Sequence, residues 1–211
     1  MPRAGLNRAA VVDLALAVVD DGDVDGLTLA AVAGRAGVAV PSLYKHVAGL
    51  ADLRREVALR AVAELVARLR EATEGRRGAD AVTAVAHAVR GYAAERPGRY
   101  AAVQAAPALG DDPQGRLGAV SAEAVDVIAD ALRAAGVAGS GDDVVHVVRV
   151  VRAAVHGFVD LERRGGFGLP QDRDASFARL VDVLVAGLPI TAPRATRAAA
   201  PPGGPRRPRG R

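Results

Sequence analysis

Apolar side chains recur three and four positions apart along nearly the whole chain, the spacing of one face of an α-helix. Val11, Leu14, Ala15, Val18 and Val19 form the first stripe, closed by Asp20, Asp21, Gly22 and Asp23. A short helix is predicted from Leu29 to Ala36, with Thr28 placed to cap its start and Gly37 to stop it. Pro41 stands near the start of another, which runs to about His46. A long helix follows from about Leu50 to Glu74, where Leu53, Val57, Ala61, Leu65 and Leu69 lie four apart, flanked by Val62 and Val66. Beyond Gly75-Arg76-Arg77-Gly78, further stripes run through Val82, Val85, Ala86, Val89 and Ala93, and through Val120, Ala124, Val127, Ile128, Ala131 and Leu132. Between them lies a short helix around residues 98–106. Asp142 or Asp143 caps a valine-rich helix to about Arg164, and Phe177, Leu180, Val181, Leu184, Val185 and Leu188 mark the last. No alternating strand pattern and no internal repeat interrupts this order. The expectation is an all-α protein of about nine helices.

Composition narrows the classes. The chain has 211 residues, 50% apolar and 25% charged, enough to bury a core. It has no cysteine, which removes disulfides, thiol nucleophiles and thiolate metal sites. No apolar run resembles a secretory signal or a membrane span, so a cytoplasmic protein is expected. The net charge of +4 suggests nucleic acid, but the last 23 residues carry six arginines and no acid. Without them, 22 basic side chains face 24 acidic ones, so the basicity sits in the tail. Pro201, Pro202, Gly203, Gly204, Pro205 and Pro208 mark residues 189–211 as a disordered tail.

Residues 25–50 carry the most specific signal. Two short helices joined by a tight turn at Gly37 make a helix-turn-helix, with Leu29, Val32, Ala33, Val38 and Leu43 spaced to pack the pair together. The second helix is short and is expected to expose Val40, Ser42 and Lys45. Such a helix fits the major groove of B-DNA, about 12 Å wide, and reads base edges there.

This stretch resembles the TetR/AcrR family of bacterial transcriptional regulators. The likeness spans residues 8–70 in helix order and is strongest at Ala36-Gly37-Val38 and Leu43-Tyr44-Lys45-His46-Val47. Glu95-Arg96-Pro97-Gly98-Arg99-Tyr100, the string from Arg152 to Glu162, and Gly165-Gly166-Phe167-Gly168-Leu169 are similar to the subfamily with a WHG-type C-terminal domain, although Val155 stands where that motif has tryptophan. The resemblance implies a three-helix DNA-binding unit (residues 1–50) and a helical domain that dimerises and binds a small ligand (residues 51–188). It also implies double-stranded operator DNA as partner, nucleoid association when bound, and no cofactor.

The resemblance makes Tyr44 a phosphate contact, against the alternative of a tyrosine closing the helix-turn-helix core. Lys45 meets guanine, phosphate or only solvent, and His46 touches phosphate or ends the helix. Thr28 caps its helix and offers a phosphate seat. Val40 suits a thymine methyl, and Ser42 bonds almost any base. Ala39 stands where the family often has a capping Ser or Thr, and Leu50 where a lysine often opens the next helix. For the ligand site, Tyr92, Tyr100, Gln104, His146, Arg149 and His156 are polar groups on largely apolar helices. A mostly apolar pocket of this kind suits a small apolar effector. Arg149, Arg152, His156, Asp160 and Arg163 form one polar stripe, which also fits a solvated face.

The valine-rich helix is apolar on more than one face, more than packing on its own domain requires. A homodimer is therefore expected, with Val144, Val148, Val151, Phe177, Leu180, Val181 and Leu184 pairing two helices per subunit into a four-helix bundle. Catalysis finds no support. His46, His87, His146 and His156 form no metal-binding pair, and Gly-x-Ser-x-Gly, Walker A and dinucleotide fingerprints are absent. The competing reading is a helical protein that uses its helix-turn-helix for protein contacts or for unregulated architectural DNA binding.

Overall fold

The structure is a computed structural model that describes residues 6–106, 112 and 114–189. Residues 190–211, nearly all of the expected tail, lie outside the described residues. Among the described residues there are eight α-helices and two 3-10 segments, and no strand.

Helix α1 (Arg8–Asp21) is capped by Asn7, whose side chain accepts from the Ala10 amide at 2.9 Å. Val11, Val12, Ala15, Leu16 and Val19 are its buried members, so the stripe lies one position round from the one expected, with Leu14 and Val18 at its edge. A 3-10 turn, Val24–Gly26, leads into α2 (Leu29–Ala36). The Thr28 hydroxyl accepts from the Ala31 amide at 3.1 Å. Gly37 ends α2 in the left-handed region at φ 66°, where a side chain would be strained.

The expected third helix is a 3-10 helix, Val40–Lys45, with Pro41 in its first turn and no capping side chain at Ala39. Six residues with neither cap nor propagation length favour the tighter winding. Then come α3 (Leu50–Thr73), α4 (Ala79–Glu95), α5 (Pro97–Ala105), α6 (Arg116–Ala134), α7 (Gly141–Arg163) and α8 (Arg173–Ala186). The cap of α7 is Ser140 rather than Asp142 or Asp143; Asp143 answers it from the third position, completing a capping box.

One continuous apolar core runs from Val11 on α1 to Val181 on α8. The long helix α3 is its axis, touching α1, α4, α5 and α6. Near its start Arg8 reaches Asp52 and Glu56, and farther along Tyr92 of α4 reaches the Ala61 carbonyl at 3.1 Å. Across the far end, Arg90 joins Glu162 of α7 to Asp174 of α8 and lies 4.7 Å from the centre of the Phe177 ring.

Candidate nucleic-acid interface and effector pocket

The 3-10 winding decides what the Val40–Lys45 segment presents. With three residues per turn, positions three apart eclipse one another. Val40, Leu43 and His46 fall in one row; Leu43 is fully buried and the other two are half-buried. Pro41 and Tyr44 form the exposed row, with Tyr44 57% accessible. Ser42, half-buried, and Lys45, exposed, form the third. Val40 is thus partly packed against the core rather than free, and Tyr44 does not close the core. Pro41 is an outward residue that the sequence reading did not single out.

The segment is held from behind. Arg8 donates to the His46 carbonyl at 3.0 Å and to both Asp52 oxygens at 2.9 and 2.8 Å, and reaches Glu56 at 2.9 Å. The Asp52 carboxylate also accepts from the Ala48 amide at 2.9 Å. The Arg8 guanidinium, countered partly by burial, holds Asp52 below the usual carboxylate range. Arg35 is paired with Asp21, and Arg55 lies 4.0 Å from Asp52. Lys45 makes no ion pair among the described residues. Arg54 also makes none, so Lys45 and Arg54 are the uncommitted cations of this unit among the described residues.

The second site is a cavity of about 110 Å³ between α3, α4, α5, α6 and α7. Leu65, Val89, Val103, Ile128 and Val151 are typical of its apolar wall. Its polar groups are Tyr100, Gln104, Ser121, Arg152 and His156. The Tyr100 hydroxyl lies 3.0 Å from His156 Nδ1, and the rings are tilted at 5.8 Å. Burial raises the Tyr100 phenol to about 12, opposed by Arg152 and Arg163, and burial lowers the His156 imidazole.

Three of the six expected ligand residues, Tyr100, Gln104 and His156, line the cavity. Tyr92 does not; it is buried against α3, with its hydroxyl on the Ala61 carbonyl and 3.3 Å from Glu64. His146 and Arg149 lie on the exposed side of α7, away from the cavity. Arg152 and Ser121 are the lining residues that the sequence reading left out, although Arg152 stood in the polar stripe.

Five of the seven side chains expected at the dimer seam, Val144, Val148, Val151, Phe177 and Val181, belong to the protomer's own core. Leu180 and Leu184 are half-buried. The second apolar face of α7 lies about a third of a turn round from the buried stripe and runs through Val150, Ala154, Gly157 and Leu161. Val150 and Leu161 are 59% and 49% exposed, and Val183 of α8 is 62% exposed.

Residues 82–184 match the family model described as "Tetracyclin repressor-like, C-terminal domain". The match carries that description and not the narrower WHG type. The HTH-type transcriptional regulator Rv0681 of Mycobacterium tuberculosis, itself described as uncharacterised, is 38% identical over 185 residues, 88% of this chain and 83% of its own. This chain belongs to the TetR family of helix-turn-helix transcriptional regulators. YobS of Bacillus subtilis, another uncharacterised HTH-type regulator, is 32% identical over 90% of this chain and 96% of its own. A crystal structure of BioQ with its double-stranded DNA operator shares the fold at TM-score 0.62 and 24% identity, over 86% of this chain and 99% of BioQ.

In this TetR-family chain the two sites are joined by α5. Its Tyr100 and Gln104 line the cavity, while its first turn packs on α1. Gly98 sits so close to Val19 that a Cβ there would lie 2.9 Å from both the Val19 carbonyl carbon and Cγ1, and nearer still to its oxygen. Next to it Arg99 grips Asp20 of α1 at 2.8 and 2.6 Å and Glu64 of α3 at 2.6 Å. Among the described residues no group of His, Asp and Glu is arranged to hold a metal, and no helix is long and apolar enough to cross a membrane.

Proposed function

We propose that the protein is an effector-responsive repressor, a homodimer in the cytoplasm that reads a palindromic operator. Residues 6–50 serve as the DNA-binding unit and the helices from α3 onward as the effector-binding and dimerising part. Tyr44 and Lys45 make the principal contacts. Pro41 and Ser42 flank them, and Thr28 presents a phosphate seat at the start of α2. Val40 and His46, half-buried, support the segment more than they read bases, while Ala39 is exposed at its start and offers only a methyl group. The operator-bound BioQ structure supports this assignment by fold.

The observation that carries regulation is the double role of α5 as cavity wall and neighbour of α1. A ligand that shifts α5 changes the position of α1, against which the helix-turn-helix is packed. The ligand then favours dimers whose two Val40–Lys45 segments no longer match successive major grooves. The exposed face through Val150, Leu161 and Val183 supports the dimer, since a second copy covers it and sets the spacing of the two readers.

The test sequences the DNA captured by the protein, then titrates that DNA against wild type and Tyr44→Phe. A palindrome with half-sites one helical turn apart, bound more weakly by the variant, upholds the reading. Capture of random DNA, or of none, favours the architectural or protein-contact role and overturns it.

A further inference from the structure

Four of the five polar groups that line the cavity among the described residues belong to two facing helical turns. Tyr100 and Gln104 are one turn apart on α5, and Arg152 and His156 are one turn apart on α7. The Tyr100–His156 hydrogen bond fixes these turns against each other. The cavity therefore has a polar end facing a wall of valine, leucine and isoleucine.

The charge of that end is one-sided. Among the described residues no carboxylate lines the cavity. The charged groups around Tyr100 and His156 are Arg152, Arg163, Arg164 and Asp160. Asp160 is already paired with Arg164 at 2.9 Å, and the Arg163 guanidinium lies 5.8 Å from the centre of the Tyr100 ring. Arg152 makes no hydrogen bond or ion pair among the described residues. The direction of the Tyr100–His156 bond follows the imidazole tautomer; in the tautomer whose Nδ1 accepts, Nε2 carries the proton and is a second donor. An apolar ligand without charge leaves these donors unanswered, whereas an anion answers them.

We propose that the effector is a small apolar monocarboxylate. Its hydrocarbon body lies along the aliphatic wall, and its carboxylate is taken by Arg152 with support from Gln104 and the Tyr100–His156 pair. A single planar guanidinium matches a carboxylate, two donors to two oxygens, and offers too little charge for a phosphate dianion. The cavity, about 110 Å³, is somewhat smaller than the engineered void of about 150 Å³ that admits benzene. The body is thus no larger than one ring or a short chain. This inference rests on the effector-pocket reading above.

The experiment measures binding by calorimetry for benzoate and hexanoate beside benzyl alcohol and hexan-1-ol, with operator affinity followed in parallel. Wild type, Arg152→Gln and Ala124→Phe are compared. Arg152 is exposed and unpaired, so its replacement leaves the fold intact; Ala124 lines the cavity, and a larger side chain fills it. The acids are expected to bind on the order of tenfold more tightly than the matched alcohols. In Arg152→Gln that preference disappears while alcohol affinity is unchanged, and in Ala124→Phe all binding is lost. Equal affinity of acid and alcohol overturns the proposal, as does an Arg152→Gln protein that weakens both alike. Arg152-dependent acid binding that leaves operator affinity unchanged upholds the ligand class and overturns the effector reading. No binding by any probe overturns both.

Discussion

Replacing Gly98 by alanine loads the seam between α5 and α1 directly. The new methyl would sit 2.9 Å from the Val19 carbonyl carbon and from Val19 Cγ1, and closer to the carbonyl oxygen. Carbon atoms in favourable contact stand roughly 3.5–4.0 Å apart, so the two helices must separate by at least about half an ångström. The obstacle is mostly backbone of a core helix, which cannot rotate out of the way. Overpacking of this kind costs about 1–3 kcal/mol. For a chain of this size each kcal/mol lowers Tm by roughly 2–4 °C, so a fall of about 2–12 °C is expected. Because Tyr100 is two residues on, the same displacement pulls on its 3.0 Å bond to His156 and on the Arg99–Asp20 pair. The ratio of operator affinities with and without ligand should therefore shrink as well. Thermal melting and an operator titration read the two effects. The control is Gly91→Ala on α4, where a Cβ meets open space and the gain in helix propensity raises Tm instead. Equal melting of the two variants, or an unchanged affinity ratio in Gly98→Ala, would refute the reasoning.

Other expectations follow from the same geometry. Lys45→Ala should weaken operator binding: a base contact relaxes preference at one position by about 1–3 kcal/mol, whereas a phosphate contact weakens all sequences alike and shallows the salt dependence, so titrations at several salt concentrations decide between them. Val150→Glu should give a folded monomer by sedimentation that loses operator binding, while Val148→Glu, which buries a carboxylate in the protomer core, should fail to fold; a dimeric Val150→Glu protein would disprove the seam. His156 is buried toward its neutral form beside Tyr100, Arg152, Arg163, Arg164 and Asp160, so its folded-state pKa lies below the ordinary 6.5. Its contribution is complete above that value and is lost as pH falls through the lowered one, so Tm should decline more steeply below about pH 6.5 in wild type than in His156→Asn; parallel curves would remove His156 as the cause.

The helix-turn-helix was legible because its signals are local. Thr28 three residues before its donor and Gly37 at a left-handed turn need no distant partner to act. The winding of the Val40–Lys45 segment was not legible, because six residues leave α and 3-10 spacing nearly indistinguishable until the row of Val40, Leu43 and His46 is seen to turn inward. On α7 the pattern revealed two apolar faces but could not say which one meets the protein's own core. Val144, Val148 and Val151 face inward and Val150, Ala154, Gly157 and Leu161 outward, a choice made by α4, α6 and α8. Tyr92 looked like a pocket residue because its partners, the Ala61 carbonyl and Glu64, lie on another helix.

The position of the polar cluster bears on how a ligand would be sensed. Gln104 and His156 line the cavity and also a second cleft, whose far side is the Asp23–Asp25 turn between α1 and α2. Asp160, Arg163 and Arg164 line that cleft together with Asp23 and Asp25. A carboxylate bound at Arg152 and His156, as proposed, would add negative charge beside this cleft, where Arg163 stands without an ion pair among the described residues and Arg164 is already paired with Asp160. For the proposed effector, the seam at Gly98 and Arg99 would transmit displacement and the cleft would transmit charge. Both routes end on α1 and the turn that orients α2, so neither requires the ligand to touch the reading segment. Allosteric couplings are typically about 1–3 kcal/mol, and sub-ångström shifts at an effector site reach that size where a packed interface has two arrangements, the property the Gly98→Ala titration tests.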